Sequence, residues 1–271
     1  MRTLAVRLAE AEQRLAREHQ PVTARIAGHL LGLPALRDEA DLVVVLAAPK
    51  KDVASLLGTT PEAFSRGLRR LADEADVEAP STVGVGAAGF VAADRSTVVF
   101  APHLSWRNEP LREALGKRVD LPISIDNDAN AALWAEHRFG AARGATHAVM
   151  ITLGTGIGGA MIHDGVLVPN FEVGSLELDG VMAESRASAK ARERDQLSWA
   201  EYAERLQRFF SHVERILSPD LFIVGGGISK RPDDYLPLLS LRTPIVPAQL
   251  QNNAGIVGAA LAAHGSLADG N

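Results

Sequence analysis

The sequence predicts an α/β protein led by a small, mainly helical segment, and three observations carry that prediction. From residue 82 onward apolar strand-like runs alternate with stretches of helical period, and several of those runs end in glycine clusters. Residues 50–71 carry the start and stop signals of two short helices joined by a tight turn. The 271 residues, 46% of them hydrophobic, can bury a sizeable core, and a formal net charge of −5 gives no reason to expect a polyanion binder overall. The absence of cysteine excludes disulfides and thiolate metal sites and fits a cytoplasmic protein. The charged opening M-R-T-L-A-V-R-L-A-E reads as neither a signal peptide nor a membrane span.

Leu4, Leu8, Ala11 and Leu15 fall at helical spacing, so residues 2–19 are expected to form an amphipathic helix, with a second over 25–33. Asp41 to Leu46 reads as a short strand closed by Pro49. The next helix is expected to end at Leu57, with Gly58 as its stop. Its successor starts with Thr60 as N-cap, Pro61 at the first helical position and Glu62 in the first turn. Residues 49–71 hold five basic and two acidic side chains, so positive charge gathers where a helix entering a major groove needs it. A solvated surface accounts for the same arginines equally well. Residues 75–81 are short, polar and proline-bearing, which suggests two domains, 1–76 and 77–271.

In the second domain, strands are expected over 82–91, 97–101, 122–125, 148–153, 158–162 and 221–224. Helices are expected over 110–119, 129–139, 199–217 and 254–263. Three glycine-marked stretches invite chemistry: V-G-V-G-A-A-G-F-V (83–91), I-T-L-G-T-G-I-G-G-A (151–160) and D-L-F-I-V-G-G-G-I-S (220–229). In the second, Gly154 and Gly156 strip away side chains so that backbone N–H groups can approach an anion, and Thr155 adds a hydroxyl. Gly225, Gly226 and Gly227 offer a flat surface for a phosphate chain. Tight turns use glycine too, so each cluster alone is ambiguous. The stretch S-I-D-N-D-A-N (124–130) joins a strand to an alanine-rich helix. There Asp128 can accept the proton of a substrate hydroxyl and Asn127 can bond a polyol, while Asp126 or Asp128 could equally serve as a helix cap.

Two resemblances follow from these residues. Residues 22–75, especially K-K-D-V-A-S-L-L-G-T-T-P-E-A-F-S-R-G-L-R-R-L-A-D-E (50–74), resemble the C-terminal DNA-binding domain of the cyclic-AMP receptor protein and fumarate-nitrate regulator class. That resemblance implies DNA contacts from Glu62, Ser65, Arg66 and Arg69, although no hairpin wing is expected after Glu74. Residues 82–262 resemble the repressor, open-reading-frame and kinase (ROK) family of sugar kinases. The likeness rests on I-D-N-D-A-N-A-A-L-W-A-E-H-R-F-G, I-T-L-G-T-G-I-G, L-S-P-D-L-F-I-V-G-G-G-I-S-K and E-S-R-A-S-A-K-A-R-E-R-D-Q-L-S-W, the later ones similar to its polyphosphate glucokinase branch.

The kinase resemblance implies an actin-like (ribonuclease H-like) ATPase fold and transfer from polyphosphate or ATP to the 6-hydroxyl of glucose or a related hexose. Asp128 would be the base, and Asn127, His103, Glu172, Ser175 and Glu177 would contact the sugar. Gly154, Thr155, Gly156 and Gly225 to Gly227 would line the phosphates. Magnesium would arrive on the donor, no resident metal site being expected, and a homodimer is implied. The chain departs from the family in lacking D-x-G-x-T, so the first lobe is expected to be truncated and activity impaired. His103 replaces an asparagine and Ser175 a histidine, so glucose affinity is expected to be weakened. An alternative is a sugar-responsive DNA-binding regulator whose kinase-like part only senses.

Overall fold

The structure, a computed structural model, describes residues 22, 24, 26, 35–37, 42–44, 50–57, 59–74, 81–101 and 104–268. Contacts divide the chain into two units, Met1–Pro80 and Ser81–Asn271. The helix expected over 2–19 and most of that over 25–33, like Gly58 and His103, lie outside the described residues.

In the first unit, β1 (Ala35–Arg37) pairs antiparallel with β2 (Leu42–Val44), and only the second of these was legible in the sequence. Helices α1 (Lys50–Leu56) and α2 (Pro61–Glu74) follow. Thr60 begins α2 as its spacing predicts: its Oγ1 accepts from the Ala63 amide at 3.2 Å, and Pro61 gives up an N–H that has no helical acceptor. The pair closes over Ile26, Val53, Ala54 and Phe64, all buried. Glu62, Ser65, Arg66 and Arg69 lie on the solvent side of α2.

The second unit opens with β3 (Val83–Ala87). A small antiparallel sheet of β4 (Phe90–Val91), β5 (Val98–Phe100) and β6 (Arg107–Glu109) follows, then α3 (Leu111–Gly116), β7 (Ile123–Asn127) and α4 (Asp128–Phe139). Next come β8 (His147–Leu153), β9 (Ile157–His163), β10 (Val166–Val168), β11 (Glu177–Leu178), β12 (Val181–Met182), α5 (Glu184–Ala187), α6 (Ala189–Arg194) and α7 (Trp199–Leu217). The unit closes with β13 (Leu221–Gly225), β14 (Ile245–Pro247) and α8 (Ala254–Ala268).

Five strands form one mixed sheet in the order β10-β9-β8-β13-β14, in which β8, β13 and β14 run parallel and β9 lies antiparallel to both its neighbours, β8 and β10. Its core is covered by α7, whose buried Tyr202, Leu206, Phe209, Phe210 and Val213 recur every three or four residues on one face. Burying each aromatic or aliphatic side chain there contributes about 1.5–3 kcal/mol. Ser198 and Glu201 form a capping box at the start of α7, so the helix begins where its sequence says it should.

Strands β3 and β7 pair in parallel and place Ala87 opposite Asn127. Helix α8 packs on both β3 and α4, and small residues permit unusually close backbones. A Cβ at Gly258 would stand 1.6 Å from the Ala131 carbonyl oxygen of α4, and one at Gly84 would stand 1.9 Å from the Ala259 oxygen of α8.

Glu136, fully buried near the end of α4, holds two backbone amides: Oε2 accepts from Ala141 and Oε1 from Leu250, each at 2.7 Å. Leu250 is 114 residues away in the chain, so this carboxylate pins the approach to α8. Glu136→Ala leaves both amides without their acceptor and is expected to cost about 2–5 kcal/mol, read as a fall in the urea midpoint. No helix among the described residues is long and apolar enough to cross a membrane.

Candidate active site

The junction of β7 and α4 carries S-I-D-N-D-A-N, and the structure divides its polar groups among separate tasks. Asn127, not either aspartate, is the N-cap of α4: its Oδ1 accepts from Ala129 N at 2.9 Å and Asn130 N at 3.1 Å. Its Nδ2 donates to the Gly89 carbonyl at 3.0 Å, which ties the cap to the loop between β3 and β4. The reading of Asp126 or Asp128 as the principal cap is therefore corrected. An asparagine in extended conformation ahead of the helix presents its amide oxygen to the free N–H groups better than residues already inside the first turn. With one Nδ2–H used and Oδ1 accepting twice, Asn127 keeps one N–H for a ligand.

Asp128 is the first residue of α4, and its Oδ1 accepts from the Ala129 amide at 2.9 Å. It stays open to solvent on one side. Even so, the protein packed around its carboxyl removes enough water to raise the pKa above the usual aspartate range, against the opposing effect of the amide bond. The chain of β3 passes close by: a Cβ at Gly86 would lie 3.6 Å from the Asp128 Cα. Asp126 is buried instead, its Oδ1 accepting from Asn127 N at 2.7 Å and from Asn130 Nδ2 at 3.2 Å.

The two glycine bends meet. Gly154, Thr155 and Gly156 form the turn between β8 and β9, closed by a 3.0 Å bond from Gly154 N to Gly156 O. Parallel pairing sets Gly225 beside Thr152, so β8 and β13 end together at their carboxyl edges. Gly226 follows with φ +79° and packs so tightly that a Cβ there would stand 2.5 Å from the Leu153 carbonyl oxygen. Only glycine combines that backbone conformation with that approach. Gly154 and Gly227 have open space where a side chain would be, as a surface that admits a ligand to the backbone requires.

Ala129 connects the bends to the start of α4: its Cβ lies 3.7 Å from the place a Cβ on Gly158 would take, and Gly158 sits opposite Thr152 in the β8–β9 ladder. The start of α4 and the glycine turn thus flank one region at the strand ends, where open α/β sheets bind ligands.

The other expected sugar residues fall on the segment after β10. Glu172 Oε1 accepts from Gly174 N at 3.1 Å, and Gly174 packs on the Ile157 carbonyl directly after the glycine turn. Ser175 is exposed beside it, and Glu177 is exposed on β11. Sequence reasoning missed Asn170. Its Oδ1 accepts from Val91 N and its Nδ2 donates to Val91 O, both at 2.9 Å, binding this segment to β4 across 79 residues. The D-G-V-L-V-P-N stretch carried the signal, an asparagine with φ +52° at the start of a loop, but not the partner.

Of the basic run over 186–194, Arg194 pairs with Asp195, which also accepts from Arg205, and Arg192 lies over the Trp199 ring at 3.8 Å. Strand pairing sets His147 against His163, with ring centroids 5.1 Å apart. Among the described residues no three His, Asp or Glu side chains gather as a cation site.

Known proteins resemble this chain in sequence and fold. The ROK family pattern matches residues 47–169, a span that begins before α1 and so takes in both helices of the first unit. The polyphosphate glucokinase of Mycobacterium tuberculosis (strain CDC 1551 / Oshkosh) is 46% identical over 167 residues, covering 61% of this chain and 62% of that protein; this chain therefore spans less than two thirds of that relative. The glucokinase of Streptomyces coelicolor is 31% identical over 276 residues, with 74% of this chain and 86% of that protein covered. Among solved structures, the inorganic polyphosphate/ATP-glucomannokinase of Arthrobacter sp. strain KM superposes with a TM-score of 0.65 at 47% identity, over 83% of this chain and 88% of that one. A glucokinase matched over most of its length, together with the family pattern over residues 47–169, fixes the lineage: the chain belongs to the ROK family.

Proposed function

We propose that the chain transfers a phosphoryl group from polyphosphate or ATP to the 6-hydroxyl of glucose, with Asp128 as general base. The observation that carries this reading is the meeting of the two glycine bends next to the helix that Asp128 begins. The substrate hydroxyl gives its proton to the Asp128 carboxylate as the phosphoryl group arrives and the shortened polyphosphate or ADP leaves, and the bends Gly154 to Gly156 and Gly225 to Gly227 line the donor phosphates. Asn127, through its remaining N–H, Glu172, Ser175 and Glu177 contact the sugar.

Magnesium carried by the donor phosphates would take few protein ligands and would neutralise charge on the donor. The Arthrobacter protein's use of polyphosphate and ATP and the two glucokinase relatives support this donor and acceptor choice. Glucose 6-phosphate formation measured with polyphosphate and separately with ATP tests it. Absence of product with either donor sinks the proposal.

A second reading, DNA binding by the first unit, rests on the exposed Glu62, Ser65, Arg66 and Arg69 face of α2. Inclusion of α1 and α2 in the family match weighs against it. If it holds, duplex binding at low salt is expected to weaken uniformly across sequences on raising salt, and Arg66→Ala is expected to cost about 1–3 kcal/mol in a gel-shift titration. No shift at low salt removes it.

A further inference from the structure

The second unit holds a second concavity, of about 910 Å³, that the phosphoryl-transfer reading does not use. Ser124 and Asp126, alternate residues of β7, contribute to its wall, together with Arg95, Arg112, Trp134 and Leu261. Ser124 and Asp126 are each only 8% exposed. The Ser124 hydroxyl has no hydrogen-bond partner, an arrangement that costs stability unless something enters to pair it.

Asp126 is half engaged. Its Oδ1 accepts from Asn127 N and Asn130 Nδ2, whereas its Oδ2 faces the Arg95 guanidinium at 3.7 Å, too far for a hydrogen bond. Arg112 is similarly placed, 3.6 Å from an Asp94 carboxylate whose oxygens already accept from the Ser96 hydroxyl at 2.7 Å. Both arginines, 41% and 44% exposed, therefore keep N–H donors for an incoming anion. Two arginines face two aspartates. Asp94 is occupied by Ser96, whereas the Asp126 Oδ2 remains an acceptor for a hydroxyl.

We propose that this concavity binds a phosphorylated polyol of hexose size. Sugar hydroxyls would pair with the Ser124 hydroxyl and the Asp126 Oδ2, an apolar sugar face would lie against the Trp134 indole, and the phosphate would bridge Arg95 and Arg112. The site is separate from the glycine bends yet joined to the base by covalent neighbours. Asp126 holds the amide of Asn127, and Asn127 caps the helix that starts at Asp128. An occupant touching Asp126 is thus two residues from the Asp128 carboxylate and can slow turnover without entering the acceptor site.

Calorimetric titration of the full chain with glucose 6-phosphate, in the presence of saturating glucose, tests the idea without relying on turnover. Binding is expected to persist under glucose, to persist in Asp128→Asn, and to weaken at least tenfold in Arg112→Ala and in Ser124→Val. Inorganic phosphate is expected to bind at least tenfold more weakly than the sugar phosphate. Loss of all binding under glucose, equal affinity in both wall variants, equal affinity for inorganic phosphate, or no binding at millimolar ligand would each overturn the proposal. Because only binding is read, a chain that fails to make glucose 6-phosphate can still pass this test.

Discussion

Asp128→Asn is expected to lower glucose phosphorylation by about 10²–10⁴-fold, the range that removing a positioned general base produces. Asparagine preserves the Oδ1 acceptor for Ala129 N, so α4 is expected to keep its start and the loss to fall on turnover rather than on folding. The pH dependence supplies a second readout. Loss of water around the Asp128 carboxyl raises its pKa, and only the deprotonated form accepts the substrate proton. Activity is therefore expected to fall as pH drops through a value above the usual aspartate range, a limb that the residual rate of Asp128→Asn should lack.

The linked effect on stability has the opposite sense. A carboxyl whose folded pKa is raised binds its proton more readily in the folded chain, so its stabilising contribution is full below the unfolded value and is lost as pH rises through the folded one. The asparagine variant carries no charge to desolvate. It is expected to be at least as stable as the parent at neutral pH and to gain less on acidification, as thermal denaturation at pH 4 and pH 7 would show.

Gly258→Ala is expected to be the most damaging single methyl in the second unit. The new Cβ would stand 1.6 Å from the Ala131 carbonyl oxygen and 2.3 Å from its carbon, both backbone atoms, so no side-chain rotation relieves the clash. Helices α4 and α8 would have to separate along their whole contact. Overpacking of a close interface costs about 1–3 kcal/mol and more where backbone must move, so a loss of about 3 kcal/mol is expected, seen as a lower urea midpoint with an unchanged slope. Since Ala131 lies in the same first turn of α4 as Asp128, the variant's turnover is expected to fall even at temperatures where it stays folded. If the midpoint is unchanged, the close approach of these helices is not a feature of the molecule in solution.

Long segments announced themselves: α7 as a long helical stretch, β8 and β13 as apolar runs, and α4 through its alanines. The two- and three-residue strands β6, β10, β11, β12 and β14, and the short helices α5 and α6, were not legible, because so few residues cannot establish a period and pairing partners hold them in place. The tight turn between α1 and α2 was legible from Thr60 and Pro61, but a helix pair has no signature that separates a DNA reader from part of a larger α/β fold.

Local chemistry settled what could be settled by neighbours in the chain: glycines where backbone must be bare, an asparagine and two aspartates where a strand hands over to a helix, and family motifs long enough to imply a sugar kinase. Tertiary structure alone decided that Gly226 lies against Leu153 so that two distant bends make one surface, and that Asn170 and Glu136 fasten segments 79 and 114 residues apart. Capping and glycine preferences act over three or four residues and are written in the order of the chain. Pairings across strands and between helices depend on which surfaces folding brings together, and no local pattern records them.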